Sequence, residues 1–190
     1  FFPVLSHPDP TVKRRSGFLI PSFNDSTSLG ASVTVPYYLN IANDKDITLT
    51  PKIYGRENLL MLAEYRQSFE NSYLILDSGY TKGYKNNTAV KTEGSRTHFF
   101  SKYSRSLFND NNSITNFNID IQTTSNDTYL KAHDIDTLLA KNEIDVLENN
   151  IEFDYQKDDL YFGATVSAYD DLTVENNSKY EYILPYLTFN

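Results

Sequence analysis

Apolar and polar residues alternate along much of this chain with a period of two. In 113–122, Thr115, Phe117, Ile119 and Ile121 fall on one side and Asn116, Asn118, Asp120 and Gln122 on the other. In 150–156, Ile151, Phe153 and Tyr155 oppose Asn150, Glu152, Asp154 and Gln156. In 47–54, Ile47, Leu49 and Ile53 oppose Thr48, Thr50 and Lys52. Successive side chains of an extended strand point to opposite faces, so the pattern predicts strands with one apolar and one polar face. About ten are expected, near 17–24, 31–39, 46–54, 59–68, 72–80, 96–108, 113–122, 144–155, 159–169 and 179–189. Between them lie Asn24-Asp25-Ser26, Asn43-Asp44-Lys45-Asp46, Asn109-Asp110-Asn111-Asn112 and Asn176-Asn177-Ser178. Such residues tolerate left-handed backbone or bond to it locally, which suits hairpin turns.

Two features favour a membrane barrel over a soluble sandwich. The connections are mostly short, as an up-and-down order requires. Several strands reach about ten residues, the tilted span of a bilayer, whereas ordinary strands centre on roughly five or six. The expected fold is therefore an all-β, antiparallel up-and-down meander of about ten strands, an open N-terminal part of a large transmembrane β-barrel. A polar loop is expected at 81–94. The stretch 127–139 breaks the alternation and reads as a loop excursion with a helical turn, for which Asp127 is placed as the cap. Pro51, inside a strand run, reads as a bulge.

Composition fits this picture. Hydrophobic residues make up 39% and mean hydropathy is −0.49, so no apolar run is long enough for a transmembrane helix. Alternating barrel strands average to such values. Aromatics reach 14%, as 15 Tyr and 12 Phe with no Trp; Tyr suits the interfacial girdles of a barrel. A net charge of −8, with Lys13-Arg14-Arg15 as the one basic cluster, argues against nucleic acid as a partner. The chain begins Phe1-Phe2-Pro3, shows no signal peptide, and ends in strand-like sequence, so an excerpt cut at both ends is expected.

The run 2–23, from Phe2-Pro3-Val4-Leu5-Ser6-His7-Pro8 through Lys13-Arg14-Arg15-Ser16-Gly17-Phe18-Leu19-Ile20-Pro21-Ser22-Phe23, resembles the junction between jellyroll and barrel in the lipopolysaccharide-assembly family LptD. The continuation 35–52, Val35-Pro36-Tyr37-Tyr38 to Thr48-Leu49-Thr50-Pro51-Lys52, is similar to that family's second and third strands. The resemblance is specific over 2–54 and weaker over 55–190. It implies that 1–16 ends a periplasmic jellyroll and its linker, and that 17–190 holds the first strands of a barrel at the ~26-strand end of the known range. It implies an outer-membrane location and lipopolysaccharide as cargo, released through a seam between the first and last strands. The implied partners are an LptE-like lipoprotein plug and, through the jellyroll, an LptA-like periplasmic bridge. Pro21 and Pro36 occupy the positions of the family's two seam prolines; the plainer reading is that they end or bend edge strands. The polar residues Asn116, Asn118, Asp120, Glu152 and Asp154 would face the lumen. The family's inter-domain disulfides find no partner, since the chain has no Cys.

Other chemistry is not indicated. His7, His98 and His133 lack metal-ligand spacing and read as satisfied or exposed side chains. There is no GxSxG elbow and no phosphate-binding glycine loop. Asp158-Asp159 and Asp170-Asp171 lack the pattern of a calcium loop and read as turns flanking strands. Neither an enzyme nor a cofactor is expected. The competing functions are a passive porin or nutrient transporter, and a soluble β-sandwich binding module or surface adhesin.

Overall fold

The computed structural model describes residues 14–27, 29–82, 94–109, 112–174 and 179–190. They form one antiparallel sheet: β1 (Gly17–Phe18), β2 (Ser22–Ser26), β3 (Gly30–Thr34), β4 (Tyr37–Ala42), β5 (Lys45–Tyr54), β6 (Leu60–Ser68), β7 (Ser72–Lys82), β8 (Ser95–Asn109), β9 (Ser113–Thr124), β10 (Val146–Lys157), β11 (Leu160–Asp171) and β12 (Tyr180–Phe189). Each strand pairs with its sequence neighbour from β4 to β12, and the sheet does not close. β1 and β2 are two halves of one sheet position, as are β3 and β4: β1 pairs β4, β2 pairs β3, and β5 pairs both β3 and β4. Twelve segments thus make the expected ten-stranded meander, and the two broken positions are those that carry Pro21 and Pro36. We call β1–β2 the first strand and β3–β4 the second.

Register sorts the side chains onto two faces. Ser104, Asn118 and Glu152 are mutual partners across β8, β9 and β10, as are Ser106, Asn116 and Asp154. The opposite face carries Tyr103, Ile119 and Ile151, then Arg105, Phe117 and Phe153. On that open face Leu39, Ile53, Met61, Phe99, Ile121, Ile151 and Val166 are all exposed.

The other face is covered. The segment 125–145 folds over it, and Tyr129, Leu130, Ile135 and Ala140 join Tyr54, Leu60, Phe100 and Leu147 in one buried apolar cluster. Its one helical turn, α1 (Tyr129–His133), has Thr128 at the N-cap position, not Asp127 as its sequence suggests. Asp127 instead pairs with Lys179 at 3.1 Å, and Asn126 Oδ1 accepts the Thr128 N–H and hydroxyl. Asp134 ends the turn at φ 51°, a left-handed position that Asp tolerates.

Other boundaries moved as well. Asn24-Asp25-Ser26, expected as a turn, completes β2 because it pairs with Ser32, Ala31 and Gly30. The Lys45-Asp46 end of another expected turn opens β5. Pro51 is not at a bulge: Thr34↔Lys52 and Tyr37↔Leu49 keep one register on either side of it. Asp170 and Asp171 belong to β11, whereas Asp158-Asp159 does form a turn. Of the loop expected at 81–94, residues 81–82 complete β7 and 83–93 lie outside the described residues. His7 and residues 1–13 of the expected jellyroll end also lie outside them, as do 110–111 and 176–178 of two expected turns.

Candidate functional site

Prolines 21, 36 and 51 fall at one level of three adjacent sheet positions. Gly17↔Tyr38 and Phe18↔Tyr37 set the lower register of the first pair, and Leu19 N–H donates to Pro36 O at 2.8 Å in the same register. Above the break Ser22 pairs with Thr34. Ile20 and Pro21 therefore oppose Val35 alone, a one-residue bulge in the first strand. In an antiparallel ladder a close pair exchanges two bonds. At Leu19–Pro36 only one forms, because Pro36 has no N–H to return. The same loss recurs one strand on: Val35 N–H donates to Pro51 O at 3.1 Å and Pro51 returns nothing. The first strand is also the sheet edge, with Phe18, Ile20 and Phe23 75%, 79% and 77% exposed.

The five polar residues expected to share a face do so, and it is the face that 125–145 covers in part. They are knit across strands. Asn118 Oδ1 accepts the Ser104 hydroxyl at 2.7 Å, and its Nδ2 reaches Glu152 at 3.4 Å. Asn116 Oδ1 accepts Ser106 at 2.8 Å. Lys102 pairs with Asp120 at 3.1 Å, and Tyr161 donates to Asp154 at 2.7 Å. Each bond links residues at or beside register partners, where cross-strand neighbours reinforce a sheet.

Nearer the broken strands the covered face holds groups that periodicity alone does not single out. His98 Nε2 sits 2.7 Å from Asp77 Oδ1, both buried. The ring lies over Gly79, where an added Cβ would come within 2.5 Å of it, so glycine is required there. Lys52 Nζ donates to His133 O at 2.7 Å and to Asp134 O at 3.3 Å, and Tyr54 Oη donates to His133 O at 3.2 Å. Two residues of β5 thus hold the carbonyl end of α1, where a cation is favoured. Burial, helped by nearby Lys52 and Arg96, pushes the His133 imidazole down to about 4. Among the described residues no cluster of His, Cys, Asp or Glu is arranged to hold a metal ion. Among them, too, no helix is long and apolar enough to cross a membrane, which says nothing of crossing by strands.

An open up-and-down sheet with one apolar exposed face and one hydrogen-bonded polar face has the architecture of a β-barrel wall. Comparison with known proteins gives a particular direction to that class. Part of the chain is 52% identical over 54 residues to the LPS-assembly protein LptD of Ralstonia nicotianae, covering 28% of this chain and 7% of that protein. The LptD of Shewanella frigidimarina is 41% identical over 91 residues, 42% of this chain and 12% of the relative. That of Cupriavidus pinatubonensis is 45% identical over 64 residues, 34% and 8%. The chain therefore matches about a tenth of the length of these curated relatives. No family model matches it.

Proposed function

We propose that this chain is the N-terminal part of an outer-membrane barrel that delivers lipopolysaccharide to the outer leaflet, and that its first two strands form one lip of a lateral seam. The role is transport, not catalysis. The observation that carries the gate is the loss of ladder bonds at one level between the edge strand and its neighbour: a bulge at Ile20-Pro21 in the first strand and an unreturned bond at Pro36 in the second. A seam that opens needs few bonds to break. The relatives' printed name, LPS-assembly protein, supports lipopolysaccharide as the cargo. In this reading residues 1–16 lead in from a periplasmic jellyroll that receives cargo from an LptA-like bridge. The open face meets lipid. Asn116, Asn118, Asp120, Glu152 and Asp154 face a wet lumen occupied by an LptE-like lipoprotein.

The test is the Pro21→Ala, Pro36→Ala variant of the full-length protein. Pro36→Ala restores the N–H that returns a bond to Leu19 O, worth about 0.5–1.5 kcal/mol, which shifts a marginal opening equilibrium roughly two- to tenfold, and Pro21→Ala removes the ring from the bulge. Surface lipopolysaccharide should fall while the heat-modifiable mobility of the barrel stays normal. Normal export from a normally folded variant would show that these prolines only punctuate an edge.

A further inference from the structure

Asp46 is the second residue of β5, beside the turn at 43–44. Its side chain is only 4% exposed. Three donors from three other parts of the chain converge on it. Arg66 Nε of β6 reaches Oδ1 at 2.8 Å. Tyr38 Oη of β4 and Arg14 Nη1 reach Oδ2 at 3.3 and 3.1 Å. Arg66 is shared with a second carboxylate, Glu64, at 3.5 Å. Two acids and one cation on the strands leave a net negative charge at a desolvated position, and such a charge calls for a partner. Arg14, which precedes the first strand, supplies it. The same approach segment is stitched down twice more: Asn40 N–H donates to Ser16 Oγ at 2.9 Å, and Asn40 Nδ2 to Arg14 O at 3.2 Å.

The first strand's own ladder below its break is short: Gly17 and Phe18 pair with Tyr38 and Tyr37, and Leu19 adds one bond to Pro36. Charge-assisted bonds to a buried carboxylate are roughly twice as strong as neutral ladder bonds. We propose that Asp46 is a positioning residue that anchors the foot of the first strand through Arg14, so that the strand stays seated below Pro21 whatever happens at the break. The anchor rests on the reading of this strand as a lip of the seam, and it assigns the opening to the level of the prolines and not to the foot.

The experiment is amide hydrogen exchange on the full-length protein in detergent, comparing 14–20 with 22–26. Arg14→Gln should speed exchange in 14–20 about tenfold and leave 22–26 unchanged, and Asp46→Asn should speed it further. Arg14 is 63% exposed, so its substitution leaves the barrel folded and decides the matter even where Asp46→Asn does not fold. Unchanged exchange in 14–20 overturns the anchor, and so does an equal rise in 22–26, which would make the contact one of general stability. Export by the proline variants is a separate readout: normal export there removes the gate, whereas the exchange pattern still reports the anchor.

Discussion

The sheet is built in two ways. At its beginning, two positions are split into β1–β2 and β3–β4, the longest unbroken piece spans 6 residues, and every break lies at a proline. Further along, β8, β9 and β10 run for 15, 12 and 12 residues without interruption. The first region has exposed apolar side chains and missing ladder bonds; the second carries Phe100 and Leu147 at 0% exposure beneath the 125–145 segment. One fold thus holds a loosely tied edge against a firmly packed wall. Proline alone does not decide the matter, since Pro185 in β12 lies where the register with β11 shifts opposite Val166, and that strand is otherwise continuous. What marks the first strands is that the losses line up.

The contrast can be broken most forcefully in the wall. Phe100→Ala should cost about 3–5 kcal/mol, the range for a buried aromatic, whereas Phe18→Ala at the edge should change denaturant stability far less. Equal losses would erase the distinction between the regions. Next comes the contrast of faces. Ile119→Lys should cost about 2–4 kcal/mol in folding into lipid vesicles if it sits near the bilayer midplane, and its neighbour Asn118→Lys well under half of that. Similar costs at both sites would contradict the assignment of the open face to lipid.

Acidification should then loosen the covering segment. The His133 value, about 4 when docked against 6.5 when free, means that the released form binds more protons between those limits. The contribution is complete above pH 6.5 and is lost as pH falls toward 4, about 2 kcal/mol by pH 5. Protection against hydrogen exchange across 129–140, taken relative to the intrinsic amide rate at each pH, should fall between pH 7.5 and pH 5, and His133→Gln should flatten the response. The smallest effect is expected at Pro51→Ala. It restores a donor toward Val35 O and should stabilise the second strand by about 0.5–1.5 kcal/mol, seen as slower exchange in 30–42 with no change in β8 or β9.

Periodicity made the ten sheet positions and their faces legible because an apolar row on one face forces strict alternation, as Phe117, Ile119 and Ile121 show. It placed Asn116, Asn118 and Asp120 on one face for the same reason. It misjudged residues whose type suits a turn but whose place is set from a distance. Asp46 reads as turn material until Arg14 and Arg66, 32 and 20 residues away, meet its carboxylate. Asp127 looks like a cap, yet Lys179 claims it. The covering role of 125–145 was hidden because its contacts with Lys52 and Tyr54 are long-range and leave no local period.

That covering segment has a mechanical side. It leaves the sheet from β9 and returns to β10, yet it is fastened at Lys52 and Tyr54 on β5, with Lys52 and His133 81 positions apart in the chain. A strip tied across one side of a flexible sheet behaves like a bowstring. Flattening the sheet would stretch the tie, so the strip resists flattening of the strands between its fastenings. Substituting Lys52 would therefore weaken that resistance across β5 to β9, well beyond the residues it touches, while Tyr54 and the buried cluster still hold the strip down.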